Sequence, residues 1–116
     1  MDHFNYQQGF LFAEEVSLNV IAEQHGTPSY VYSRATLERH AKAYTESFNA
    51  MNGLVCFSVK ALSNISILKV LKECGCGFDI VSGGELHRAL LAGADPQKII
   101  FSGVGKLKTE MAAGIE

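Results

Sequence analysis

From Ser29 onward, short apolar runs alternate with stretches whose apolar residues recur at helical spacing, a rhythm that predicts strands and helices in turn. Ser29-Tyr30-Val31-Tyr32 reads as a first strand. Ser33 is placed to cap a helix carrying Leu37, Ala41, Tyr44 and Phe48. Leu54-Val55-Cys56-Phe57-Ser58-Val59 is nearly continuous in apolar character, as expected of a strand with both faces covered. Asn64 then caps a helix with Ile65, Leu68 and Leu71 on one face, and Gly75 ends it. Phe78-Asp79-Ile80-Val81 is a third strand. In Ser82-Gly83-Gly84-Glu85 the spacing is that of a capping box, in which serine and glutamate each satisfy a free amide at a helix start. That helix carries Leu86, Ala89 and Leu90 and stops before Gly93. A turn at Asp95-Pro96 leads to a fourth strand, Ile99-Ile100-Phe101, and Thr109 is positioned to cap a further helix.

Strand centres at Val31, Phe57, Ile80 and Ile100 lie 26, 23 and 20 residues apart. This is the spacing of strand-helix units joined by short loops, so the fold class is α/β with a parallel sheet. An open doubly wound sheet and an eight-fold barrel share that rhythm. The first strand lacks the G-x-G-x-x-G turn of dinucleotide binders, which favours the barrel. Eight such units take roughly 250 residues. The 116 residues are therefore expected to form the first half of a (β/α)8 TIM-type barrel, with four of its eight strands. Residues 1–27 read as a lead-in segment and residues 28–116 as the barrel portion.

Composition narrows the partners. The chain is 47% hydrophobic with a formal net charge of -2, its charges are interspersed, and no Lys/Arg block occurs. Neither a nucleic-acid footprint nor an anionic-membrane footprint is present, so small molecules or other subunits are expected. No apolar stretch reaches the roughly 18 residues of a membrane span, and Met1-Asp2-His3-Phe4 does not open a signal peptide. A cytoplasmic location is expected. Cys74-Gly75-Cys76 is not a two-spacer redox or zinc pair, and Cys56 has no cysteine near it in sequence. All three thiols are expected to be reduced. His3, His25, His40 and His87 share no metal-ligand spacing, and no metal is expected.

In a barrel, catalytic groups gather at the C-terminal ends of strands, which selects Ser33, Lys60, Ser82 and Ser102. Lys60 follows an apolar strand directly. Loss of hydration there favours the neutral amine, the form that attacks a carbonyl. The competing reading has Lys60 snorkelling to water or pairing with a carboxylate. Asp79, flanked by Phe78, Ile80 and Val81, needs a cation or a donor, and the neighbouring strand offers Lys60. Such a pair is either structural or a device that tunes the amine. Capping already accounts for Glu85, with any catalytic part an addition. The same helix start is also a place to bind an anion. Ser102-Gly103-Val104-Gly105-Lys106 lacks the spacing of a nucleotide phosphate loop.

Val55-Cys56-Phe57-Ser58-Val59-Lys60-Ala61-Leu62-Ser63-Asn64 resembles the cofactor-lysine motif of the alanine-racemase-fold decarboxylases, which are pyridoxal 5'-phosphate (PLP) enzymes whose usual form reads Y-A-V-K-A-N-S-N. Residues 77–86 and 100–106 resemble the next two blocks of the diaminopimelate decarboxylases in order and spacing. Phe4-Asn5-Tyr6 and Gly26-Thr27-Pro28 through Tyr32 resemble that family's lead-in, where a short segment joins a second β domain. Leu62 departs from the motif, which has asparagine there. The resemblance implies a PLP-dependent decarboxylase acting on meso-2,6-diaminoheptanedioate to give L-lysine. It implies that Lys60 holds PLP, with Asp79 and Glu85 near the amine when substrate displaces it. It also implies that the phosphate loop, the ring-stacking histidine and the acidic partner of the pyridine nitrogen lie later, and that active sites form across a two-fold homodimer. The 116 residues alone are thus expected not to turn over substrate. Related ornithine, arginine or carboxynorspermidine decarboxylases and a non-enzymatic PLP carrier are the rival readings. Alanine racemase fits less well, because its motif runs on into Y-G-H-G where this chain has Ser63-Asn64-Ile65-Ser66.

Overall fold

A computed structural model describes residues 2–116, which divide into two compact units, one up to His40 and one from Ala41 to Glu116. The first unit holds an antiparallel meander that strand-helix periodicity does not foretell. Its strands are β1 (Phe4–Gln7), β2 (Phe10–Ala13) and β3 (Val16–Ser17), followed by α1 (Leu18–His25). β1 pairs with β2 in the register Phe4 to Ala13, and β2 pairs with β3. Residues 29–32, expected to be a strand, join no ladder, with Tyr30 91% exposed. A strand is defined by its neighbour, and among the described residues this segment has none.

Helix α2 (Arg34–Asn49) begins where Ser33 was expected to cap it. The Ser33 Oγ accepts the Thr36 N–H at 3.1 Å and donates to Glu14 Oε1 at 2.8 Å. Glu14 Oε1 also accepts the Ala35 N–H (2.9 Å), so two side chains share the orphan amides of this helix start. These contacts, the Ala35 N–H first, hold the Glu14 carboxyl below its ordinary range. The apolar stripe expected on α2 is rotated: Ala41 and Thr45 are buried, while Tyr44 and Phe48 are exposed.

The second unit carries a parallel sheet of β4 (Cys56–Ser58), β5 (Gly77–Ile80) and β6 (Ile99–Phe101), in that order. It therefore has three parallel strands rather than four. β5 is central, with Ser58 opposite Asp79 and Asp79 opposite Ile100. Phe78 and Ile80 are fully buried at 0% exposure and anchor the core together with Leu68 and Val59. Gly77 is needed where β5 passes between its neighbours, because a Cβ there would collide with the Lys98 carbonyl oxygen and touch Cys56 Sγ.

The crossovers follow the expected signals. Asn64 caps α3 (Ile65–Glu73), its Oδ1 accepting the Ser66 N–H (2.9 Å) and the Ile67 N–H (3.3 Å). Gly75, at φ +88°, takes the left-handed conformation just beyond the helix end. Ser82 caps α4 (Gly83–Leu91), and Asp95 caps a short 3-10 turn, Pro96–Lys98. The last helix, α5 (Lys108–Ile115), starts before Thr109, which lies inside its first turn and does not cap it. Glu110 does that work by reaching back to the Leu107 N–H at 2.9 Å. No described helix is long and apolar enough to cross a membrane.

Candidate active site at the C-terminal edge of the parallel sheet

All three parallel strands deliver polar side chains to one edge. β4 ends at Ser58, and the chain turns at once into a single 3-10 turn, Val59–Ala61, closed by the Leu62 N–H on the Val59 carbonyl (3.1 Å). Val59 is fully buried and fixes the turn, which packs against β5 and α4. Lys60, the next residue, is exposed. This corrects the expectation that burial strips its hydration, because the strand ends one residue early, at Ser58, and the turn brings residue 60 to the surface. Among the described residues, none hydrogen-bonds or ion-pairs with the Lys60 amine.

Asp79 finds its donors elsewhere. Its Oδ1 accepts from Ser102 Oγ at 2.5 Å, and its Oδ2 from Ser58 Oγ at a long 3.4 Å. Ser102 lies one residue beyond β6, its N–H continuing the ladder to the Ile80 carbonyl (2.9 Å). A row of Ser58, Asp79 and Ser102 thus crosses the sheet and satisfies a carboxylate embedded among apolar residues. The anticipated Lys60 and Asp79 pair is not formed. Pattern reading singled out Ser102 but missed Ser58. The available signal was register, since Ser58 is the third residue of β4 and faces Asp79, the third of β5. The Cys56 thiol is pushed up by burial first and then by the Asp79 charge.

At the start of α4 both box residues act. Ser82 Oγ accepts the Glu85 N–H (3.2 Å), and Glu85 Oε2 accepts the Val81 N–H (2.8 Å). Glu110, which pattern reading passed over, supplies a third acceptor, its Oε1 taking the Gly83 N–H at 2.8 Å. The Gly83 N–H first, then that of Leu107, hold the Glu110 carboxyl below its ordinary range. One carboxylate and one hydroxyl cap the amides of Gly83 and Glu85, and a second carboxylate sits just ahead on the Val81 N–H, so the charge at this helix start disfavours an anion. The loop after β6 is likewise closed on itself: Lys106 Nζ donates to the carbonyls of Ser102 (3.0 Å) and Gly103 (2.6 Å) and lies 5.5 Å from the Phe101 ring centre. Among the described residues no cysteine is in a disulfide, and Cys76 is buried in the core.

A primary amine without a partner, held on a rigid turn at the edge where such folds do chemistry, is the arrangement expected for covalent capture of a carbonyl. Residues 34–116 match the family described as pyridoxal-dependent decarboxylase, pyridoxal binding domain. The chain belongs to that family. Among curated proteins it is similar to the diaminopimelate decarboxylases of Pseudomonas fluorescens, at 54% identity over 116 residues, and of Vibrio cholerae, at 55% over 117; both alignments take in 100% of this chain. The chain spans 28% of the length of these relatives. Among solved structures, diaminopimelate decarboxylase from M. jannaschii in co-complex with L-lysine aligns at TM-score 0.91 and 34% identity, covering 98% of this chain and 28% of that one. A crystal structure from Aquifex aeolicus aligns at TM-score 0.91 and 42% identity over 97% of this chain and 28% of its own. The strand-helix units of this pyridoxal-dependent decarboxylase domain are those expected for the first half of a (β/α)8 barrel, and PLP is the family's cofactor.

Proposed function

We propose that Lys60 is the residue that holds PLP, and that the protein carrying these residues is a diaminopimelate decarboxylase, converting meso-2,6-diaminoheptanedioate to L-lysine and carbon dioxide in the last step of lysine biosynthesis. The observation that carries the proposal is the unpartnered Lys60 amine on its 3-10 turn, within a chain 54% identical to enzymes of that name. The donor set fits the cofactor: a primary amine to take the aldehyde, and a carboxylate, Asp79, fixed one strand away.

Bound PLP supplies an electron sink for the charge left when the carboxylate departs. The chain's own residues do the rest. The Lys60 Nζ would hold the cofactor's aldehyde carbon and, when the substrate amine takes its place, is available to hold a proton. Asp79, held by Ser102 and Ser58, places a carboxylate on the strand next to the one that carries the Lys60 turn. Glu85, tied to the Val81 N–H, keeps the start of α4 beside the Lys60 turn. The resemblance further supports an amino-acid substrate, a two-fold homodimer and a cytoplasmic location.

The test uses the longest natural reading frame that contains these residues. Release of carbon dioxide from meso-diaminopimelate in preference to ornithine and arginine is the expected result, and no release from any of them overturns the decarboxylase reading. Borohydride reduction and peptide mapping are expected to label Lys60. Label on Lys69, Lys72 or Lys106 instead overturns the assignment.

A further inference from the structure

We infer that Arg88 is a positioning residue for the Lys60 turn: its guanidinium holds the Ser63 carbonyl and so fixes, from a neighbouring helix, the short stretch of backbone that presents the Lys60 amine. The inference rests on the reading of Lys60 as the cofactor lysine. Its observation is a single bond between elements. Arg88, on α4, donates from Nη1 to the Ser63 carbonyl oxygen at 3.2 Å. Ser63 lies three residues past Lys60, between the 3-10 turn and Asn64, the cap of α3. Among the described residues, no other side chain from outside the segment hydrogen-bonds to residues 60–63.

On the N-terminal side of Lys60 the turn is anchored by Val59, which is fully buried, and the Leu62 N–H closes it on the Val59 carbonyl at 3.1 Å. On the C-terminal side the chain runs through Ala61, which is exposed, and on to Ser63 before α3 begins at Ile65. Arg88 supplies the restraint there, from a helix that packs on both the turn and α3. Its guanidinium is uncommitted otherwise. Among the described residues Arg88 forms no ion pair, and Glu85, one turn earlier on the same helix, is held by the Val81 N–H at 2.8 Å. A guanidinium stays charged at any working pH, and a charged donor makes the stronger kind of bond to a carbonyl. Because the contact is exposed, water competes for both partners and the bond adds little to global stability. What it limits is the freedom of the segment beside Lys60, and an amine held in place reacts faster than one carried on a mobile loop.

The experiment uses the full-length protein stripped of cofactor and follows two quantities: the rate at which added PLP gives the absorbance of the attached cofactor, and amide hydrogen exchange in peptides covering residues 59–64. Arg88→Met keeps an aliphatic stem and removes the donors. It is expected to slow attachment and to speed exchange of the Leu62 amide, each by about fivefold. The urea midpoint and exchange in peptides of β5 are expected to stay at wild-type values. Arg88→Lys, which restores one charged donor, is expected to recover most of both losses. An attachment rate or a Leu62 exchange rate unchanged in Arg88→Met overturns the inference, and so does a failure of Arg88→Lys to recover them. A rise in exchange that spreads equally through β5 also overturns it, since Arg88 would then support the fold and not the turn. Failure of the underlying reading looks different: borohydride label in the wild-type protein would fall on another lysine, while exchange at residues 59–64 would still respond to Arg88→Met.

Discussion

Two lysines stand just past strand ends on the same edge of the parallel sheet, and the chain treats them in opposite ways. Lys106, after β6, spends its ammonium on two carbonyls of its own loop and on the face of Phe101. Lys60, after β4, sits on a turn whose neighbour Val59 is fully buried, yet its own amine has no partner among the described residues. Rigidity in the first loop comes from the lysine itself. In the second it comes from everything except the lysine. On the proposed reading of Lys60, the reacting amine is left uncommitted while its backbone is fixed, the division expected of a preorganised nucleophile.

The largest test of this contrast exchanges the roles. Lys60→Ala is expected to abolish the cofactor's attachment and lower turnover by about 10³-fold or more, with stability unchanged to within about 0.5 kcal/mol because the side chain is exposed. Lys106→Ala is expected to leave attachment intact and to cost about 1 kcal/mol, the scale of charge-assisted bonds on a partly exposed loop. Absorbance of the bound cofactor and urea unfolding measure the two arms. A stability loss in Lys60→Ala matching that of Lys106→Ala would collapse the distinction.

The backbone half of the contrast is tested next. Val59→Ala removes two buried methyl groups beneath the Lys60 turn and is expected to cost about 2 kcal/mol. It is also expected to slow cofactor attachment, since the turn loses its anchor. Asn64→Ala removes the acceptor of two amides at the start of α3 and is expected to cost about 1 kcal/mol with attachment little changed. If Val59→Ala destabilises the fold without altering the attachment rate, the turn's rigidity has no bearing on the amine.

The sequence made these loops unequally legible. Lys60 after an apolar run, Asn64 before a helix and the serine-glutamate box at residues 82–85 are local signals, and each element formed where its signal stood. What local patterns could not carry was pairing between strands. Asp79 suggested a cation because a carboxylate in an apolar strand needs compensation, but the partner depended on register, which delivered Ser58 and Ser102. Residues 29–32 carry the composition of a strand, but composition brings no ladder neighbour. The meander of residues 4–17 turns on two non-glycine residues at positive φ, Gln8 and Glu14, neither of which is a strong turn marker. Glu110 escaped notice because Leu107 stands where a capping hydroxyl is sought, so half of the usual box is absent.

The smallest expected effect belongs to Glu110, the second latch of the loop after β6. Its carboxylate joins the starts of α4 and α5 by accepting the Gly83 and Leu107 amides, and those donors hold its pKa below the ordinary carboxylate range. A group whose folded pKa is depressed stabilises the fold above its unfolded value and loses that contribution as pH falls through its folded one. Glu110→Gln is therefore expected to lower the melting temperature slightly at neutral pH, by less than Lys106→Ala does. The difference from wild type should narrow as the solution is acidified past the usual carboxylate range, where wild-type Glu110 also becomes neutral. Melting curves from pH 7 into that range supply the check. A gap that stays constant on acidification would mean that the amide bonds hold equally well to an uncharged carboxyl, and that charge has no part in closing this loop.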